Sequence, residues 1–260
     1  MTSLLPLTGK TILVTRAAGQ SSQFTQLLHQ QGATVLEMPA IEITPPSSWE
    51  RLDQAIADLN QFDWLILTSA NGVDYFFERL KQSNSTAALQ NLKIAVVGQK
   101  TAATLANYGL QPDFIPPDFV ADALVAHFPE ADRLPNLKIL FPRVETGGRE
   151  VLVKALTAQG ATVIEVPAYQ SGCATQVPTE VATALQTGNL DIVTFASSKT
   201  ARCFHQLVGC LSVDLCIASI GPQTSVTCQQ LFGRVDLEAE DYTLEGLTHA
   251  IVLWVLNQQK

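Results

Sequence analysis

Hydroxyl, amide and guanidinium side chains recur where short apolar runs of this chain end. Thr68-Ser69-Ala70-Asn71-Gly72 follows one such run, and Ala196-Ser197-Ser198-Lys199-Thr200 follows another. Gly98-Gln99-Lys100-Thr101 and Gly221-Pro222-Gln223-Thr224 form a second pair, and Arg16 with Gly19 and Arg143 with Gly147-Gly148-Arg149 a third. Ser, Thr and Asn suit helix N-caps, and Gly or Asn eases the preceding turn. The N–H groups of a helix start lack intrahelical partners, and with the positive end of the dipole they bind anions. Capping alone explains any single turn. Six of them together point to a cleft that holds several anionic groups.

Sharper chemistries fail on spacing. Gly98-Gln99-Lys100-Thr101 resembles the end of a phosphate-binding loop, but Gly and Lys are not adjacent and no glycine precedes at the required distance. Gln223 stands where the other copy has Lys100, so the shared pattern is only G-x-x-T. Neither a G-x-G-x-x-G dinucleotide turn nor a G-x-S-x-G elbow occurs. His29, His127, His205 and His249 all fall in expected helices, where packing or exposure is the ordinary role. Cys173, Cys203, Cys210, Cys216 and Cys228 match no zinc template and read as buried free thiols in a reducing cytosol. The residues call for neither metal nor cofactor.

The elements that must position these turns are written twice. Gly32-Ala33-Thr34-Val35-Leu36-Glu37-Met38-Pro39-Ala40 and Gly160-Ala161-Thr162-Val163-Ile164-Glu165-Val166-Pro167-Ala168 agree at seven of nine positions, 128 residues apart. At that offset Asp63-Trp64-Leu65-Ile66-Leu67-Thr68-Ser69 answers Asp191-Ile192-Val193-Thr194-Phe195-Ala196-Ser197. At 123, Val97-Gly98 answers Ile220-Gly221, and Phe119 to Leu124 answers Tyr242 to Leu247. A period of this size is a whole domain. Within the first copy, Ile12–Thr15, Val35–Met38, Trp64–Leu67, Ile94–Val97 and Phe114-Ile115 read as buried strands. Amphipathic stretches lie between them, with Gly32, Gly109 and Gly160 placed as C-caps. Alternation of this kind predicts two α/β domains of doubly wound, flavodoxin-like type, each a parallel sheet with helices on both faces. Ligands of such sheets bind beyond the carboxyl ends of the strands, where the polar turns fall.

Composition sets the frame. The 260 residues suit one large or two small domains, with 15% charged against about 25% in an average soluble protein. A hydrophobic share of 47% excludes disorder. A formal charge of −8 and the lack of Lys/Arg runs argue against nucleic acid and anionic membranes. The N-terminus does not read as a signal peptide, and the apolar run Ala250 to Leu256 is too short to span a bilayer, so a cytoplasmic protein is expected.

The ordered set of motifs resembles the uroporphyrinogen-III synthase family. It is carried by Ile12-Leu13-Val14-Thr15-Arg16, Asp63 to Val73, Val97 to Ala102, Gly148-Arg149-Glu150-Val151-Leu152, Pro167-Ala168-Tyr169-Gln170 and Ile220 to Thr224. Each motif is short; their joint order spans nearly the whole chain. The resemblance implies one domain from residues 1–38 with 171–260 and another from 41–168. Two antiparallel linkers near 38–41 and 166–171 would join them, with Pro39 and Pro167 breaking the strands there. It implies cofactor-free closure of hydroxymethylbilane, a linear tetrapyrrole with eight carboxylates, to uroporphyrinogen III with loss of water and inversion of ring D. Tyr169 would then assist departure of the hydroxyl or only pack the hinge. The substrate would be held by Arg16, Thr68, Ser69, Asn71, Gly98, Lys100, Thr101, Arg143, Arg149, Ser197, Ser198, Gly221, Gln223 and Thr224. Ser69, Thr101, Ser197 and Thr224 would act as caps, while Arg143 could instead pair with Glu145. A monomer is expected, in transient contact at most with the preceding pathway enzyme. The competing reading is a non-catalytic two-domain hinge-type binding or regulatory protein on the same fold.

Overall fold

A computed structural model describes residues 5–16, 22–83, 86–117, 124, 126–147 and 150–258. Its strands are β1 (Thr11–Val14), β2 (Thr34–Glu37), β3 (Ile41–Thr44), β4 (Trp64–Leu67), β5 (Lys93–Val96), β6 (Lys138–Val144), β7 (Thr162–Cys173), β8 (Ile192–Phe195), β9 (Cys216–Ser219) and β10 (Leu237–Glu238). The α-helices are α1 (Ser22–Gln30), α2 (Glu50–Ala57), α3 (Ala70–Gln82), α4 (Gln99–Ala106), α5 (Glu150–Ala158), α6 (Thr179–Thr187), α7 (Ser198–Val208), α8 (Pro222–Phe232) and α9 (Leu244–Gln258). The chain divides into a unit of Met1–Glu42 with Gly172–Lys260 and a second of Ile43–Ser171. It crosses from one to the other within β3 and again within β7.

In the first unit the strand order is β10-β9-β8-β1-β2, with parallel pairing throughout. Short apolar strands buried on both faces are what a parallel sheet under two helical layers requires. Side chains alternate across it. Ile12 and Val14 pack with Phe24, Leu28 and Ile251 on one face, whereas Leu13 packs with Val193, Phe195 and Phe204 on the other.

The second unit orders its strands β3-β7-β6-β4-β5, and a parallel bridge from Ala95 to Phe114 extends the far edge. The β4–β5, β4–β6 and β6–β7 pairs are parallel. With β6 and β7 taking the places of β1 and β2, both sheets follow one flavodoxin-like order. The doubling reaches single carboxylates. Asp63 accepts from the Lys138 N–H and Asp191 from the Thr11 N–H, both at 2.8 Å. Asp113 accepts from Ile94 at 2.8 Å and Asp236 from Ile217 at 2.7 Å. These four pin the amino ends of strands, leaving the polar turns at the opposite edge.

Three expectations need correcting. Expected strand positions hold to within a residue, but Phe114-Ile115 contributes only the single bridge at Phe114. Pro39 falls between β2 and β3, as a strand breaker should, but Pro167 lies inside the twelve residues of β7. A proline is tolerated there because the ladder is irregular beside it: Arg143 pairs with Pro167 and Val144 with Tyr169, so Ala168 is an extra residue.

The cysteines are not all free thiols. Cys173 and Cys203 form a disulfide, their Cα atoms 4.9 Å apart, because the end of β7 runs beside α7. Cys210 is an exposed thiol, and burial pushes the Cys216 and Cys228 thiols up to about 12. Protein denatured without reductant should therefore expose three titratable thiols, rising to five after reduction. A count of five before reduction would contradict the pairing. Among the described residues, no helix is long and apolar enough to cross a membrane.

Candidate functional site

The polar turns are best read strand by strand. In the second unit β4 ends at Leu67, Thr68 is half-buried, and Ser69 is the N-cap of α3. The Ser69 hydroxyl oxygen accepts from the Gly72 N–H at 3.0 Å and lies 3.0 Å from the Tyr169 hydroxyl. Asn71 follows in the first turn of α3. Gly72 keeps this corner open: a Cβ there would come 3.1 Å from Ser69 Oγ and 3.9 Å from Tyr169 Cε1.

Tyr169 arrives at Ser69 by way of the bulge. Val166, Ala168 and Tyr169 are all buried, so the alternation along β7 slips by one residue after Pro167. The ring stacks on Tyr75 with centroids 5.8 Å apart, and Tyr75 in turn stacks on Trp49 at 6.3 Å. Tyr75 is anchored at its far end by donation to the Ile43 carbonyl at 3.2 Å. Tyr169 is 8% exposed, which leaves its hydroxyl, held by Ser69, as its polar handle.

Gly98 caps α4 with φ +98°, a conformation that a side chain would strain. Thr101 is the third helical residue and not the cap; it is buried, and its hydroxyl donates to the Val97 carbonyl at 2.9 Å. Lys100 is exposed on the first turn. Arg143, near the end of β6, pairs with Glu165 and with the Gly147 carbonyl, not with Glu145. Its Nε is buried without a hydrogen-bond partner. A polar cleft of about 530 Å³ opens beside it, lined also by Arg51, Ser47 and Glu145.

The first unit repeats the pattern. Ser197 caps α7, accepting from the Thr200 N–H at 3.1 Å, and its Oγ lies 2.8 Å from the Thr200 hydroxyl. Ser198 donates to the Gln223 carbonyl at 2.8 Å, which joins the turn after β8 to the turn after β9. Gly221 caps α8 beneath the Tyr242 ring, whose Cδ1 would lie 2.9 Å from a Cβ at that position. Gln223 is exposed, and Thr224 is a buried third residue of its helix, as Thr101 is. Arg16 follows β1, and burial pulls its guanidinium below the ordinary pKa. Gly19, Phe119, Gly148 and Arg149 lie outside the described residues.

Sequence context offers Glu145 only as a local partner for Arg143. Its carboxylate accepts from the Ser47 hydroxyl, from the Ser47 N–H at 2.9 Å and from Gln170 Nε2 at 2.7 Å. Those bonds, Ser47's hydroxyl foremost, hold it below the usual carboxylate range. Among the described residues no group of three or more His, Cys, Asp or Glu is placed to hold a metal ion. Each unit offers N–H groups, hydroxyls and a guanidinium group at its strand ends, and the second unit adds a buried phenol.

Known proteins resemble this chain in sequence and in fold. The family model described as Uroporphyrinogen-III synthase HemD matches residues 22–249. A uroporphyrinogen-III synthase from Synechococcus elongatus is 53% identical over 257 residues, covering 96% of this chain and 97% of its own. One from Chlorobaculum parvum is 29% identical, covering 93% and 98%. Among solved structures, uroporphyrinogen-III synthetase from Helicobacter pylori shares the fold at TM-score 0.61 and 18% identity, covering 96% of this chain and all of the other. A mutant uroporphyrinogen III synthase from Thermus thermophilus does so at TM-score 0.57 and 17% identity, covering 96% and 99%. With two mainly parallel α/β sheets, paired polar turns and a family match over most of its length, the chain belongs to the uroporphyrinogen-III synthase family.

Proposed function

We propose that this chain closes hydroxymethylbilane to uroporphyrinogen III with loss of water and inversion of ring D. The observation that carries the reading is Tyr169, buried opposite the end of β6 with its hydroxyl 3.0 Å from the N-cap hydroxyl of α3. When Ser69 donates to the phenol oxygen, the Tyr169 proton is left to point at a ligand. The C–O bond to the terminal hydroxyl then breaks as Tyr169 supplies a proton or hydrogen bond, and water departs. Electrons from the pyrrole nitrogen stabilise the resulting azafulvenium cation.

Attack by the substituted carbon of ring D, through a spiro intermediate, distinguishes the product from the symmetric isomer of unassisted closure. That step asks for positioning and charge stabilisation more than for acid–base pairs. Carboxylates would be held at the starts of α3, α4, α7 and α8 by free N–H groups with Thr68, Ser69, Asn71, Ser197 and Ser198. Lys100, Gln223, Arg16, Arg143 and Arg149 would add charge or hydrogen bonds. The reading takes a cytoplasmic monomer that uses no cofactor.

The deciding assay supplies hydroxymethylbilane and resolves the product isomers. Predominant type III at a rate proportional to protein is expected. Type I alone, at the spontaneous rate, would overturn the proposal.

A further inference from the structure

We infer that Glu145 is a positioning residue for Tyr169: its one side chain and one N–H lock the bulge of β7 in the register that aims the phenol at Ser69. This inference rests on the role proposed for Tyr169. The bulge explains the need. Ala168 has no partner in β6, so the ladder that normally fixes side-chain direction is interrupted just before Tyr169. An interrupted ladder can slip, and a slip of one residue would carry the phenol to the other face.

The lock has four bonds. The Glu145 N–H donates to the Tyr169 carbonyl at 2.8 Å, which fixes the tyrosine's own peptide. Gln170, the next residue, donates from Nε2 to Glu145 Oε2 at 2.7 Å. The carboxylate is itself held by both the N–H and the hydroxyl of Ser47, beyond β3. The segment after β3, the end of β6 and the bulged stretch of β7 thus meet at one residue.

The residue type matters as much as the position. Three donors converge on the two oxygens, and an ionised carboxylate is an acceptor at every lone pair. An amide would turn an N–H₂ toward at least one of those donors, and alanine would release all three. Glu145 has no direct bond to the Tyr169 hydroxyl, so its effect must travel through the backbone. Displacement of a catalytic group by about 1 Å can cost up to ~10²-fold in rate.

The test is a double-mutant cycle read on turnover and isomer ratio. Glu145→Ala is expected to lower kcat roughly tenfold with KM changed less than about twofold, and to raise the type I share as spontaneous closure competes. In the Tyr169→Phe background the same substitution should have almost no further effect on kcat. Gln170→Leu, which removes one bond and spares the carboxylate, should show a smaller loss with the same dependence on Tyr169.

Equal losses in both backgrounds, a change confined to KM, or unchanged kcat in Glu145→Ala would each overturn the inference. If Tyr169→Phe alone retains full turnover and isomer ratio, the role of Tyr169 fails instead. Should Glu145→Ala not fold, Gln170→Leu carries the same cycle.

Discussion

Replacing Tyr169 with Phe is expected to lower turnover of hydroxymethylbilane by roughly 10²-fold, the lower end of what a positioned proton donor contributes. The ring's burial and its stacking on Tyr75 do not involve the oxygen, so Phe should keep the packing. What is lost is one hydrogen bond to Ser69, with a stability cost on the order of 1 kcal/mol. KM should change little, because carboxylates held at helix starts do not rely on the phenol. As enzymatic closure slows, the spontaneous reaction takes a larger share, and type I should rise in the product. Steady-state kinetics with isomer analysis and a melting curve read all of this on one preparation. Full turnover at an unchanged ratio would leave Tyr169 with packing alone.

Ser69 makes the contrast sharper. Its oxygen serves two masters, the Gly72 N–H and the Tyr169 hydroxyl, so the helix cap and the phenol are set by one atom. The equivalent Ser197 caps α7 and approaches the Thr200 hydroxyl. Two copies of one turn have thus diverged: one orients a tyrosine, the other only its own helix and, through Ser198, a neighbouring turn.

Legibility followed the range of the interactions. The Trp64–Leu67 and Ile192–Phe195 strands are short runs of apolar or β-branched residues before Thr/Ala-Ser turns, so strand, turn and N-cap could be read locally. The duplication told which elements correspond, down to Asp63 with Asp191. Pairing is another matter. Ile12 sits opposite Ile192, 180 residues away, and an apolar strand looks the same whichever neighbour it has. Tyr169 drew notice only through its family motif, since a lone tyrosine carries no period. Glu145 was weighed only as a local partner for Arg143, because its bonds to Ser47 and Gln170 span 98 and 25 residues. Long-range proximity hid the Cys173–Cys203 pair in the same way.

Trp64→Ala should produce the largest loss of stability, about 3–5 kcal/mol for a fully buried aromatic, with little change in turnover per folded molecule. Trp64 opens β4, is 1% exposed and packs against Phe128 with centroids 4.8 Å apart. Its Nε1–H donates to Glu130 at 3.1 Å, and Lys93 and Arg133 pair with the same carboxylate at 2.5 and 2.6 Å. Alanine would leave a cavity between β4 and Phe128 and strip Glu130 of one donor. At about 2–4 °C per kcal/mol for a chain of this size, the melting transition should fall by about 6–20 °C. Trp64→Phe, which keeps most of the volume and loses the N–H, should cost less than half as much.

The pH dependence separates the cavity from the hydrogen bond. Lys93 foremost, then Trp64, holds the Glu130 carboxyl below its ordinary value. A depressed folded pKa contributes stability above the unfolded value, and that share is lost as pH falls through the folded one. Trp64→Ala has already given up part of this share, so its stability gap to the parent should narrow modestly in acid. The cavity term does not titrate and should persist. Denaturant melts at neutral pH and near pH 3 would read both parts. A gap that vanished in acid would assign the loss to the Glu130 bond, and an undiminished gap would assign it to packing alone.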